Sequence, residues 1–154
     1  MNEVIIGFDG SEVSERAIRL AATVLRPGPA LVVAVHEAGV AFDASVGMDI
    51  QAAPVDYATT AMVDEAMEEG ARVRAQRGAD LAREHGLDAE PFVALDSGGI
   101  GETLVRLAEE RQATAIVVGA HRYRRMERMF LGSTSRKVLE HAPCPVLVVR
   151  AEES

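Results

Sequence analysis

A mostly parallel, doubly wound α/β sheet is the fold class this sequence predicts, and two observations predict it. Short β-branched runs alternate with segments of helical period along the whole chain, without internal repeats or low-complexity tracts. One of those runs, Leu31-Val32-Val33-Ala34-Val35, is apolar at every position, as befits a parallel strand covered on both faces. The alternation gives β-α-β-α-β-α-β-α-β. A five-stranded sheet of order 3-2-1-4-5 with helices on both faces is the expectation.

The first strand spans Val4 to Phe8 and runs into Asp9-Gly10-Ser11. The period then changes: Val13, Ala17, Ile18, Ala21, Val24 and Leu25 recur at three- and four-residue steps until Pro27 ends the pattern. Ser11, with Glu12 and Glu15 behind it, places a capping hydroxyl and acidic groups where the helix dipole favours them. After Pro27-Gly28-Pro29 comes the second strand, Leu31 to Val35. Residues 39–55 have no clean period and read as a variable, mobile insertion.

From Tyr57 to His85 the chain is rich in Ala, Glu and Arg, with Met62, Val63, Met67, Val73 and Leu81 on a partial apolar stripe that ends at Gly86. Pro91 to Leu95 reads as the third strand. Asp96-Ser97-Gly98-Gly99 reads as a flexible loop before a helix carrying Ile100, Leu104, Leu107 and Ala108. Ala115 to Val118 is the fourth strand, Thr134 to His141 the last helix, and Val146 to Val149 the fifth strand.

At 154 residues the chain is expected to be one domain, 1–154. A domain of this size buries about 70% of its unfolded surface and needs no disulfide. The net charge of -8 argues against a general nucleic-acid binder, which needs a basic face. Arg122, Arg124, Arg125 and Arg128 nevertheless give one segment a local positive surplus, suited to a small anion or to a solvated loop. The lone Cys144, between two prolines, reads as a packed structural thiol and favours a reducing, cytoplasmic setting. The N-terminus lacks the basic and long apolar regions of a signal peptide, and no apolar run is long enough to span a membrane. His36, at the end of a buried strand, reads as a locally hydrogen-bonded histidine rather than a metal ligand.

The most telling stretch joins Gly119-Ala120-His121-Arg122 to Gly132-Ser133-Thr134, directly after the fourth strand. A β-branched run entering glycine, then a second glycine and small hydroxyl residues opening a helix, is how α/β proteins cradle phosphates. In the order 3-2-1-4-5 the strand sequence reverses between the first and fourth strands, so this stretch and Asp9-Gly10-Ser11 face one crevice.

With those residues in view, the chain resembles the universal stress protein family over nearly its full length. The resemblance rests on Ile5-Ile6-Gly7-Phe8-Asp9-Gly10-Ser11, on the second strand ending in His36, and on Leu131-Gly132-Ser133 through His141-Ala142-Pro143-Cys144-Pro145-Val146-Leu147-Val148-Val149. Family members that hold ATP carry glycine, two residues, glycine, nine residues, glycine, then serine or threonine. Gly119, Gly132 and Ser133 match, while Arg122 stands at the second glycine. An arginine there adds bulk where glycine lets backbone approach phosphate, yet it also supplies a forked donor for phosphate.

The resemblance implies a nucleotide site, with ATP and Mg²⁺, built from Gly7, Phe8, Asp9, Ser11, Glu37, Val118, Gly119, His121, Arg122, Gly132, Ser133 and Thr134. Asp9 would meet ribose or, through water, Mg²⁺. The backbone at Glu37 would meet adenine, and Gly132, Ser133 and Thr134 would donate to phosphate. Local structure offers rival roles: Asp9 as a turn former, and Ser133 or Thr134 as helix caps. The resemblance also implies an antiparallel homodimer through Val146, Leu147, Val148 and Val149, the exposed edge of the sheet. A stress-response role with a protein partner of unknown identity follows from the same likeness. No catalytic residue is expected. His121 with Asp9 and Ser133 lacks a nucleophile-elbow signature, and without a P-loop lysine or an evident base any ATP hydrolysis is expected to be weak.

Overall fold

The computed structural model describes residues 2–38, 57–120 and 132–152. The expected insertion at 39–55, together with His121, Arg122 and the rest of the arginine cluster, lies outside them. The chain runs β1 (Val4–Gly7), α1 (Glu12–Val24), β2 (Pro29–His36), α2 (Tyr57–Glu84), β3 (Asp88–Leu95), α3 (Ile100–Arg111), β4 (Ala115–Ala120), α4 (Ser133–His141) and β5 (Val146–Arg150). The sheet is parallel in every pairing and ordered β3-β2-β1-β4-β5, the predicted order.

Side-chain alternation along the strands splits the core in two. Ile6, Val32 and Val117 pack with Ala17, Ile18 and Ala21 of α1 and with Ala79 and Ala82 of α2. Ile5, Leu31, Val33, Ile116 and Val118 face the other way, onto Leu104, Leu107 and Ala108 of α3 and Val138 of α4. The central strands are therefore buried on both sides, which is why they read as unbroken apolar runs.

The helix predicted over 57–85 is present, but its buried face is not the stripe of large residues that the period suggested. Met62, Val63 and Val73 are exposed, whereas Ala71, Ala75, Ala79 and Ala82 are fully buried. The cause is distance. A β-carbon on Gly78 would sit 2.7 Å from Val32 Cγ1 and 2.9 Å from the Phe8 ring, so at this point α2 lies too close to the sheet even for alanine, and small residues line the face on either side. The helix ends as expected at Gly86, whose φ of +92° favours glycine, with Leu87 N–H donating back to Ala82 at 3.0 Å.

β3 begins earlier than predicted, at Asp88, because Ala89 pairs with Ala30 and is itself buried. It is an edge strand, where Pro91 is tolerated, and Asp88, Glu90 and Pro91 are exposed along it. β4 continues past Val118, so Gly119 and Ala120 belong to the strand rather than to the loop after it, in register with Val149 and Arg150 of β5. Cys144 packs against the core cluster that includes Leu104, Ile116 and Val138, and burial pushes its thiol pKa up. No helix among the described residues is long and apolar enough to cross a membrane.

Candidate functional site

The Asp9 loop, the end of β4 at Gly119 and the first turn of α4 border one cavity, while His121 and Arg122 of the expected second loop lie outside the described residues. β1 and β4 are neighbours, and at their carboxyl ends a cavity of about 250 Å³ opens where the strand order reverses. Gly7, Phe8, Asp9, Val118, Gly119 and Thr134, all predicted for the site, line it. Ser11 and Glu37, at the ends of the flanking elements, do not line it, and neither do Gly132 and Ser133.

The Asp9 loop is shaped by its own side chains. Asp9 Oδ1 accepts from the Ser11 N–H at 2.9 Å and from the Ser11 hydroxyl. Ser11 caps α1, accepting from the Ser14 N–H at 3.2 Å, and Ser14 Oγ donates to the Ser11 carbonyl at 2.9 Å. The turn-forming role of Asp9 is thus present, and the carboxylate still borders the cavity. Gly10 completes the turn at φ +83°, a conformation that side chains other than glycine strain to adopt.

At Gly119 the start of α1 packs tightly against β4. A β-carbon there would lie 3.1–3.2 Å from Val13, including its backbone carbon. Its carbonyl accepts from Ser135 Oγ at 3.4 Å, which ties the first turn of α4 to the strand.

α4 starts one residue earlier than the sequence suggested. Gly132 is its N-cap, with no side-chain capping bond, and Arg136 N–H reaches the Gly132 carbonyl at 3.0 Å. Neither Ser133 nor Thr134 is the cap; both lie in the first turn, where N–H groups have no intrahelical acceptor and the dipole favours an anion. Thr134 is half-buried at the cavity wall and Ser133 is exposed.

Several lining residues were not singled out from the sequence. Val33, Val35, Ile100 and Leu104 make an apolar floor, and Arg74 enters from α2. The apolar group looked like ordinary core, and Arg74 is one of four arginines on a charged helix. The α3 end is more ordered than a flexible loop: Asp96 Oδ1 accepts from Gly98 and Gly99 N–H at 3.1 and 2.6 Å, and buried Thr103 Oγ1 accepts from Ser97 N–H at 3.1 Å. His36 departs from expectation. Its Nδ1 is buried without a hydrogen-bond partner among the described residues, while its backbone carbonyl accepts from Asp96 N–H, just past β3, at 2.8 Å. Among the described residues no three His, Cys, Asp or Glu side chains converge as a metal site.

Comparison with known proteins agrees with this architecture. The family model described as the universal stress protein family matches residues 1–150. Universal stress protein YxiE of Bacillus subtilis is 29% identical over 156 aligned positions, covering 97% of this chain and 99% of its own. The universal stress protein of Archaeoglobus fulgidus superposes with a TM-score of 0.71 at 24% identity, covering 97% of this chain and 98% of its own. A structure of the A. fulgidus protein in complex with dAMP gives a TM-score of 0.60 at 22% identity, covering 97% of each chain. A universal stress protein in complex with cAMP gives 0.60 at 24% identity, covering 98% of each chain. A family match across nearly the whole sequence, on a sheet with this strand order and this crevice, makes the chain a member of the universal stress protein family.

Proposed function

We propose that this chain is a single-domain, dimeric stress-response module that binds an adenine nucleotide, ATP or a related one, in the crevice between β1 and β4. One juxtaposition carries the reading: the Asp9 loop, Gly119 and the first turn of α4 at Thr134 border the same apolar-floored cavity. Open α/β sheets bind ligands where strand order reverses. A base suits the Val33 and Val35 side, and ribose hydroxyls suit the Asp9 carboxylate. Phosphate suits the N–H groups of Ser133 and Thr134 at the head of α4. The dAMP and cAMP complexes of relatives support an adenine ligand. Asp9 offers one hard oxygen to Mg²⁺, whose shell the phosphates and water would complete.

Isothermal calorimetry on refolded, nucleotide-free protein, with ATP and AMP in the presence and absence of Mg²⁺, tests this. Saturable binding is expected; neither heat nor a thermal shift at about 1 mM ligand, a bar of only about 4 kcal/mol, overturns it. A second reading rests on Arg122 replacing the motif's second glycine: a dimer that holds no nucleotide. It predicts that Arg122→Gly creates binding absent from the wild type, and it fails if the native protein binds and the substitution weakens binding. Pairing of two copies through β5 is supported by its place at the sheet edge and by half-buried Val146, Leu147 and Val148. Sedimentation of a monomer at every accessible concentration would end the dimer proposal.

A further inference from the structure

We infer that Arg74 is an anion-binding residue of the crevice and makes a charge-assisted contact with the phosphate of a bound adenine nucleotide; this rests on the nucleotide reading above. The four arginines of α2 differ in what they do. Arg72 bonds Glu68 and Glu69 at 2.9 and 3.4 Å, Arg77 bridges to Glu15 of α1, and Arg83 bonds Asp80 at 2.8 Å. Each is a surface pair within α2 or between α2 and α1. Arg74 alone of the four takes part in no hydrogen bond or ion pair among the described residues, and it alone lines the cavity with Asp9 and Thr134.

Its placement is defined along its whole length. The backbone position lies between the buried Ala71 and Ala75, on the close-packed face of α2. The stem crosses the Asp9 loop at Gly10, where a β-carbon would stand 3.6 Å from Arg74 Cδ. The guanidinium lies back over Gly70, one turn earlier, where a β-carbon would stand 3.5 Å from Nη1. Neither glycine has a side chain to cover or pair with the group. A half-buried guanidinium held beside a cavity, with its donors uncommitted, gains most from an anion that enters that cavity. Phosphate matches the planar fork of donors, and the opposite wall already ends in a helix N-terminus that favours the same charge. Sequence motifs place anion binding on β4, α4 and the arginine-rich segment between them; Arg74 adds a donor from the helix on the other face of the sheet.

The test compares AMP with adenosine, which differ only in the phosphate, on wild type, Arg74→Met and Arg74→Lys at fixed ionic strength. Methionine keeps the stem and removes the donors; lysine keeps the charge and removes the fork. Arg74→Met is expected to weaken AMP binding about tenfold or more while leaving adenosine within about twofold, and Arg74→Lys to fall between. Because Arg74 holds no partner among the described residues, melting temperatures should match the wild type. Should Arg74→Met fail to fold, Arg74→Lys carries the comparison. If AMP affinity is unchanged in the variants, or AMP and adenosine weaken equally, the inference is overturned while the nucleotide reading stands. If the wild type binds neither ligand, both fall together.

Discussion

Alanine at position 78 should destabilise the protein even though it improves a helix. Glycine to alanine in a helix interior is worth about 1 kcal/mol in favour of alanine. Here the added carbon would stand 2.7 Å from Val32 Cγ1 and 2.9 Å from two Phe8 ring atoms. Val32 is fully buried and Phe8 is 4% exposed, so neither has solvent to turn into. Overpacking of this kind costs about 1–3 kcal/mol, and three contacts below 3 Å belong at the top of that range. The net loss is about 1–2 kcal/mol, or about 2–8 °C in melting temperature for a chain of this length. Urea unfolding should show a lower midpoint with an unchanged slope. Gly70→Ala provides the internal control: its new carbon meets Arg74 Nη1 at 3.5 Å, an ordinary contact, so the same change should stabilise by up to about 1 kcal/mol. If Gly78→Ala matches or exceeds the wild type, α2 lifts from the sheet without cost and the account of its alanine face is wrong.

Two further outcomes follow from local chemistry. Thr103→Val keeps the shape of a fully buried residue but removes the acceptor of the Ser97 N–H, bonded at 3.1 Å, and leaves the Gly99 carbonyl with the Thr103 backbone N–H alone, so it should cost about 1 kcal/mol and speed amide exchange at Ser97. Desolvation raises the Cys144 thiol pKa, so the folded state holds that proton more tightly than the unfolded chain. Its contribution to stability is full below the ordinary thiol pKa and is lost as pH rises through the folded-state value. Cys144→Ala should therefore flatten the alkaline limb of a stability profile above pH about 8.5. A wild-type limb identical to that of the variant would refute it.

The strands were legible because β-branched runs covered on both faces leave few other readings, and Gly86 announced the end of α2 through the backbone it alone adopts easily. The buried face of α2 was not legible. Alanine serves equally as a helix former and as core, so the larger Met62, Val63 and Val73 drew the eye to a face that points to water. Gly119 carries no side chain to say whether it closes a strand or opens a loop; only its pairing with Val149 decides. At α4 a glycine rather than the adjacent serine takes the cap, at angles that any residue adopts and with no side-chain bond, so residue type did not mark the position. Half of the candidate site was readable as motif: Asp9, Gly119 and Thr134 stand at one cavity. Arg74 was not, since its role depends on a contact between α2 and a loop 64 positions earlier that no local pattern encodes.

The two borders of the sheet are unequal. Along β3 the outermost strand presents Asp88, Glu90 and Pro91 to solvent, a charged edge interrupted by a residue with no N–H to offer. Along β5 it presents valines and a leucine. A sheet that accepts strands at both borders polymerises without end, copy upon copy. One that accepts them at a single border is exhausted after one addition, so with a β3 edge of this kind the proposed association through β5 would be self-limiting, a closed pair rather than a fibre.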